Sequence, residues 1–324
     1  MNNLYKWQEP QWQQIYHRVK QGSLPHSLLL TGFPGLGKLD FATKFAHSLF
    51  CERTDENGHE CGQCKTCLLL KAGTHPDFHL VTPEENSKVI KIDQVRALCD
   101  VMNRKSQLGG YRIAILSPAE AMNSNAANAL LKTLEEPGEG TILMLMTSQP
   151  GFLPATIRSR CQKIEFHMPD PDISESWLSD QGVMGDISLL LNLTQKSPLS
   201  ALTAFNEGRL EERSSFLKEF MGLKQGLQNP LQLADKWNKQ QPEQCIEWMI
   251  SWVMDLIRLK SEAKSSQLVN IDIKQHLQPI AKQLDLMNLF SYKDKLQIAN
   301  RQLTTQVNGQ LLLEDLFITW IKIR

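Results

Sequence analysis

Through the first half of the chain, short unbroken apolar runs alternate with stretches in which apolar positions recur every three or four residues. Ser27-Leu-Leu-Leu-Thr31 runs into Gly32 and reads as a buried strand entering a turn. Arg112-Ile-Ala-Ile-Leu-Ser117 and residues 142–147 read the same way. His79-Leu-Val-Thr82, stopped by Pro83, and Lys163-Ile-Glu-Phe-His167 add two more strands. Between these runs, residues 11–21, 39–50, 92–102 and 123–136 carry helical stripes, and Pro137 closes the last. Strands alternating with helices predict a mostly parallel α/β sheet.

Pro169-Asp-Pro171 marks a boundary, after which the strand signals fade. A short segment, about 170–208, contains Ile187-Ser-Leu-Leu-Leu-Asn-Leu193 and the apolar stretch 201–205. The remainder carries long helical stripes, including 246–259 and 311–323. Trp248 and Trp252 stand four apart inside one of them, and read as helix packing rather than a base-stacking platform. The pattern predicts an α/β domain over 1–168 followed by all-α material divided into 169–208 and 209–324, with no fixed-period repeat.

Charge narrows the function classes. Thirty-five Lys and Arg balance 35 Asp and Glu in 324 residues, so the chain-wide basic surface of a stand-alone DNA binder is absent. Apolar runs stay far below the ~20 residues that span a bilayer. Met1-Asn-Asn-Leu-Tyr-Lys-Trp7 lacks the apolar core of a signal peptide, so a cytoplasmic protein without membrane contact is expected.

Four of the seven cysteines, Cys51, Cys61, Cys64 and Cys67, form C-x9-C-x2-C-x2-C. An odd, clustered count without export signals argues against a disulfide framework. Four thiolates complete a closed tetrahedral zinc shell, and a closed shell is structural because no position remains for water. Reduced surface thiols or a redox pair at Cys61 and Cys64 are the competing readings, but two C-x2-C steps sharing Cys64 suit a metal better. An iron–sulfur cluster also uses four cysteines and stays open, and His59 is a spare ligand.

Gly32-Phe-Pro-Gly-Leu-Gly-Lys38-Leu39 matches the phosphate loop G-x4-G-K without its final Ser or Thr. Gly32, Gly35, Gly37 and Lys38 can form an anion nest, since backbone N–H groups approach phosphate oxygens and lysine reaches the β/γ phosphates. Leu39 cannot ligate Mg²⁺. The next strand ends in Ser117-Pro118 instead of a carboxylate, and Glu120 follows on the far side of the proline. Losing a catalytic Mg²⁺ removes several kcal/mol of transition-state stabilisation. Nucleotide binding stays open, and hydrolysis by this chain is not expected.

Several stretches carry a family resemblance. Asn128-Ala-Leu-Leu-Lys-Thr-Leu-Glu-Glu-Pro137, Ser159-Arg-Cys161 after Leu153-Pro-Ala-Thr-Ile157, the knuckle at 51–67 directly after the phosphate-loop helix, and Gly73-Thr-His-Pro-Asp77 resemble the AAA+ subunits of bacterial DNA polymerase III clamp loaders, and among them the delta-prime branch. The likeness covers the α/β domain and continues more weakly to Asn308-Gly-Gln-Leu-Leu-Leu-Glu-Asp-Leu316. It implies an AAA+ P-loop domain, a small helical lid and an all-α collar that joins five subunits in a ring. Motor subunits carry a nucleotide-sensing arginine in the lid; the matching stretch here, Lys196-Ser-Pro-Leu-Ser200, has Leu199 instead.

By the same resemblance, Arg160 is the arginine finger that reaches the γ-phosphate on a neighbouring motor subunit. Trans-acting fingers contribute about 10³–10⁵ in rate. The bland reading is a surface ion pair beside the Leu-Glu-Glu helix, worth ~0–1 kcal/mol, and Arg158 is the local competitor. The polar positions of that helix, Lys132, Thr133, Glu135 and Glu136, read either as a solvated face or as an interface with the next subunit, and the interface is favoured.

The reading this favours is a non-hydrolysing stator in a DNA polymerase (nucleotidyltransferase) assembly, with structural zinc and no intrinsic activity. Its partners would be gamma/tau motor subunits, the delta subunit, the sliding clamp through a weak contact, and primer-template DNA inside the complex. An active AAA+ ATPase remodeller is the alternative, opposed by Leu39, Ser117 and Leu199. A zinc-knuckle nucleic-acid binder is a third, opposed by a knuckle that is acidic and without Phe, Trp or Tyr.

Overall fold

The computed structural model describes residues 4–85, 87–262, 268–303 and 307–323. Among them the N-terminal part runs α1 (Glu9–Lys20), β1 (Ser27–Thr31), α2 (Lys38–Phe50), α3 (Lys65–Lys71), β2 (Phe78–Val81), α4 (Ile92–Met102), β3 (Arg112–Leu116), α5 (Ser124–Glu135), β4 (Thr141–Thr147), α6 (Ala155–Arg158) and β5 (Gln162–Glu165). The strands form one sheet in the order β2-β3-β4-β1-β5, every neighbouring pair parallel.

The unbroken apolar runs have a direct cause. Side chains alternate across a strand, so a strand covered on both faces must be apolar at every position. Leu28 and Leu30 of β1, Ile113 and Ile115 of β3, and Ile142, Met144 and Met146 of β4 enter one core, with Trp12 and Ile15 of α1 and Phe41 and Phe45 of α2. Their neighbours Leu29, Ala114, Leu116, Leu143 and Leu145 enter the opposite core, with Val95 and Leu98 of α4 and Leu130 and Leu134 of α5.

Local chemistry sets the ends. The Asn123 side chain accepts the Ala126 N–H and starts α5, while Gln94 Oε1 accepts the Lys91 N–H at the start of α4. Pro10 sits in the first turn of α1, where a missing N–H costs nothing, so the helix begins two residues before the apolar stripe. The short helix α3 has too few turns to show a periodic stripe, and sequence pattern did not predict it.

One buried ion pair closes the β2–β3 edge. Arg112 donates to Asp77 Oδ1 at 3.3 Å, with both side chains almost fully buried. Asp77 also accepts from Ser106 Oγ and from the N–H groups of Gln107 and Leu108, at 2.9–3.1 Å. Arg112 in turn donates to the carbonyls of Val101, Arg104 and Lys105. The polar groups of this loop therefore satisfy one another away from water.

The residues to Ser174, with Ser197–Ser200, make one compact unit; Glu175–Lys196 and the residues from Ala201 on make a second. Three helices follow the sheet: α7 (Pro171–Asp180), α8 (Ile187–Leu193) and α9 (Pro198–Asn206). Leu178, Val183, Leu190, Leu191, Ala201 and Ala204 form a small core of their own. Then come α10 (Arg209–Lys224), α11 (Pro230–Asn238), α12 (Pro242–Lys260), α13 (Lys274–Gln283), α14 (Leu286–Gln302) and α15 (Gly309–Lys322). Their core is aromatic: Phe216 packs against Trp237, Trp248, Trp252 and Phe317. Trp248 and Trp252 are thus packing residues, buried in that core. No described helix is long and apolar enough to cross a membrane.

Burial raises the Asp77 carboxyl, but the N–H groups, the Ser106 hydroxyl and Arg112 outweigh it and hold it below the usual carboxylate range. A depressed carboxyl contributes stability that is complete above its unfolded value near ~3.9 and is lost as pH falls through its folded value. Asp77→Ala leaves a buried guanidinium uncompensated and is expected to cost about 3–5 kcal/mol at neutral pH. Urea unfolding at pH 7 and at pH 3 measures it: the gap between variant and parent should narrow in acid.

Candidate functional site

Gly32 ends β1 with φ +151°, and a Cβ there would lie 2.7 Å from the Phe166 carbonyl oxygen, so only glycine allows the exit. The loop then wraps to Lys38, the first residue of α2. Lys38 Nζ donates to Gly32 O at 2.6 Å, Phe33 O at 2.7 Å and Ser148 Oγ at 3.2 Å, using all three ammonium donors. Burial lowers its pKa to about 8, against an opposing pull from Glu120. The loop is braced from behind: Trp7 Nε1 and Gln8 Nε2 donate to Leu36 O, and Gln8 Nε2 also to Gly37 O, at 2.8–3.1 Å.

A pocket of about 270 Å³ lies over the loop. Gly35, Gly37 and Lys38 line it; so do Leu39, Ser117, Pro118 and Leu199, the positions where a magnesium hydroxyl, an acidic strand end and a sensing arginine would stand. Gly32 lies beneath, at the end of the strand. Asp40 also lines the pocket, with Tyr5 OH donating to its Oδ2 at 3.3 Å. Burial raises the Asp40 carboxyl.

Glu120 is the residue that sequence reading placed too far away. The turn after β3 brings its Oε1 to the Ser148 N–H at 3.0 Å, while its Oε2 is buried with no hydrogen-bond partner among the described residues. Ser148 thus joins Lys38 to Glu120. The joining turn, not the spacing, makes this triad, and sequence carried no signal for it.

Arg160 stands at the other end of the sheet. Ser27 Oγ at the start of β1 donates to Arg160 O at 2.6 Å. The guanidinium donates to Glu135 Oε1 from Nε at 2.8 Å and to Thr156 O from one η nitrogen at 2.9 Å, and its other η nitrogen forms an ion pair with Glu135 Oε1 at 2.5 Å. Its side chain is 35% exposed. The ion pair expected of a bland surface arginine is therefore present, on the helix that the sequence singled out. Arg158 is exposed, with no ion pair among the described residues.

The knuckle brings its four sulfurs within 4.8 Å of one another. A tetrahedral zinc with Zn–S near 2.3 Å spaces its sulfurs about 3.8 Å apart, so the four donors fit with small adjustment. Backbone N–H groups of Arg53 and Cys61 point at Cys51 Sγ, and those of Gln63 and Cys64 at Cys61 Sγ, at 3.3–3.4 Å. These bonds pull the Cys61 thiol below its ordinary range. Cys51 caps α2 and Cys64 caps α3, so a metal would join two helix ends. His59 is not in the donor group; its ring stacks on Trp12 at 4.8 Å. Trp12 Nε1 also donates to Asn57 O at 2.9 Å, fixing the knuckle to α1. Cys99, Cys161 and Cys245 lie outside the cluster.

A parallel sheet of this strand order, with a glycine loop and lysine leading from β1 into a helix, defines an AAA+-type domain, here followed by helices. The profile described as "DNA polymerase III, delta subunit" matches residues 7–170, and "DNA polymerase III, delta subunit, C terminal" matches 207–322. Proteins named DNA polymerase III subunit delta' are similar over nearly their whole length. That of Pseudomonas aeruginosa is 35% identical over 99% of this chain and 98% of its own. Those of Haemophilus influenzae (31%; 97% and 96%) and Escherichia coli (30%; 97% and 94%) follow. The chain belongs to the DNA polymerase III delta-prime family. Among solved structures, a gamma subunit-related protein of DNA polymerase III from Thermotoga maritima aligns with a TM-score of 0.45 at 15% identity, covering 95% of this chain and 99% of that one.

Protein purified without chelator is expected to carry about one zinc per chain by elemental analysis. Cys64→Ser should lower that content and loosen residues 51–67 to proteolysis. Near-zero metal in the parent protein would refute the assignment.

Proposed function

We propose that this chain is a clamp-loader subunit that does not itself hydrolyse ATP and instead supplies Arg160 to a neighbouring ATPase subunit. The placement of Arg160 carries the reading. All strands run in parallel, so Gly32 and Arg160 lie at opposite ends of β1. At about 3.3 Å per residue, positions 27 to 32 separate them by roughly 16 Å. That is beyond the reach of one side chain, so any phosphate that Arg160 meets belongs to another subunit.

The phosphate loop supports the same division of labour. Leu39, Pro118 and Leu199 bring no metal-ligating side chain to the pocket, Ser117 brings a neutral hydroxyl where a carboxylate would stand, and none of the four carries a charge to neutralise a γ-phosphate. Lys38 and Asp40 line the pocket and Glu120 stands behind it on Ser148, so one cation and two carboxylates remain without the usual acidic strand end or loop hydroxyl.

In this reading gamma/tau motor subunits and the delta subunit complete a five-membered ring. Residues 169–208 serve as the lid and 209–324 as the collar. The assembly opens a sliding clamp at primed DNA, with only weak contact between this subunit and the clamp. The knuckle, when metal-bound, is structural: zinc there supplies a cross-link between two helix ends.

The isolated chain is expected to show no ATP turnover. In the reconstituted complex with clamp and primed DNA, Arg160→Ala should slow hydrolysis at the adjoining site by about 10³-fold or more. Total turnover would fall by at least that site's share, and clamp loading would fall with it. Hydrolysis by the isolated chain, or a complex indifferent to Arg160→Ala, would overturn the reading.

A further inference from the structure

We infer that Glu135 is a positioning residue for the trans-acting arginine, an inference that rests on the role proposed for Arg160. A guanidinium has five N–H donors in a rigid plane. Two make hydrogen bonds here, Nε to Glu135 Oε1 and one η nitrogen to Thr156 O, while the other η nitrogen stands in ion-pair contact with the same carboxylate oxygen. Two N–H groups, one on each η nitrogen, have no partner among the described residues. That pair suits a phosphoryl group, which takes two parallel N–H bonds.

The backbones carrying the pair are fixed from one place. His26 Nε2 hydrogen-bonds to Leu134 O at 3.0 Å, and Ser27 Oγ donates to Arg160 O at 2.6 Å. Two consecutive residues at the entry to β1 therefore clamp the chain beside Glu135 and the chain at Arg160. Ile157, fully buried in the core shared with Leu130 and Leu134, seats α6 against α5. Glu135 is the last residue of α5, where the negative end of the helix dipole favours a nearby guanidinium. The carboxylate is half exposed, and its loss opens no cavity.

Glu135 accordingly orients the guanidinium without covering its reactive edge. It removes a rotational search that a long, free arginine would otherwise make after the neighbour's nucleotide arrives. The anion of the neighbour adds to the arrangement and does not displace it, because the donors it needs are the two left over.

The test uses the reconstituted complex, measuring ATP hydrolysis in single turnovers and clamp loading on primed DNA. Glu135→Ala is expected to lower the rate constant by about 10–100-fold with the KM for ATP little changed. Glu135→Gln, whose amide oxygen accepts the same bonds, should restore most of it. Glu135→Ala combined with Arg160→Ala should be no slower than Arg160→Ala alone. Thermal unfolding of each variant subunit checks that folding is intact. A Glu135→Ala complex as fast as or faster than the parent, a loss that Gln fails to restore, or one that adds to Arg160→Ala would each overturn the inference while leaving the trans-acting arginine standing. If Arg160→Ala is itself without effect, the underlying reading fails first.

Discussion

Burial of the parallel sheet on both faces is the constraint from which the rest of this chain's chemistry follows. Successive inner residues of β1, β3 and β4 enter alternate cores, so these positions are apolar and the polar residues of each strand, such as Ser27, Thr31, Arg112, Thr141 and Thr147, stand at its ends. Complete burial of one leucine contributes about 1.5–3 kcal/mol, and Leu28, Leu29 and Leu30 are all almost wholly buried. Functional groups can therefore stand only where the strands end. Because every strand points the same way, those ends fall into two sets, with the phosphate loop at one edge and Arg160 at the other. That geometry is what the proposed division of labour between subunits rests on.

The glycines of the phosphate loop have packing reasons of their own. A Cβ on Gly37 would come within 2.6 Å of the Tyr5 ring, and one on Gly35 would strike the hydroxyls of Ser197 and Ser200. Both residues have positive φ. Packing thus demands these glycines whether or not a nucleotide is bound. Lys38 likewise has a structural occupation, bonding to two carbonyls of its own loop and to Ser148. Leu39, Ser117 and Leu199 line the same pocket, and none of the three carries a charge.

Buried polar groups elsewhere do a comparable job of fixing loops that apolar contacts leave loose. Asp77 and Arg112 tie residues 101–108 to the β2–β3 edge. In the helical part, Asp255 accepts from the N–H groups of Val269 and Asn270 and from Arg258, while Arg213 binds Asp272 and Asn270. Asp77 and Asp255 each gather several donors from a turn, while Arg213 gathers two acceptors from another.

Much of this was legible along the chain. The unbroken runs at 27–31, 112–116 and 142–147 announced strands because a doubly covered strand leaves no polar position. The glycine loop, Leu39, the serine–proline strand end and the cysteine spacing could be read because their chemistry depends on residue type at short separations. Sequence missed α3, whose single apolar patch is too short for periodicity to register. Only the tertiary structure turned Glu120 back to Ser148, excluded His59 from the sulfur cluster by stacking it on Trp12, and chose Glu135 as the partner in the ion pair that sequence had offered between Arg160 and its helix. Those relations depend on where turns and packed helices deliver a side chain in space. Local pattern is set by neighbours along the chain, whereas a hydrogen bond between distant residues is set by the sheet and cores that bring them together.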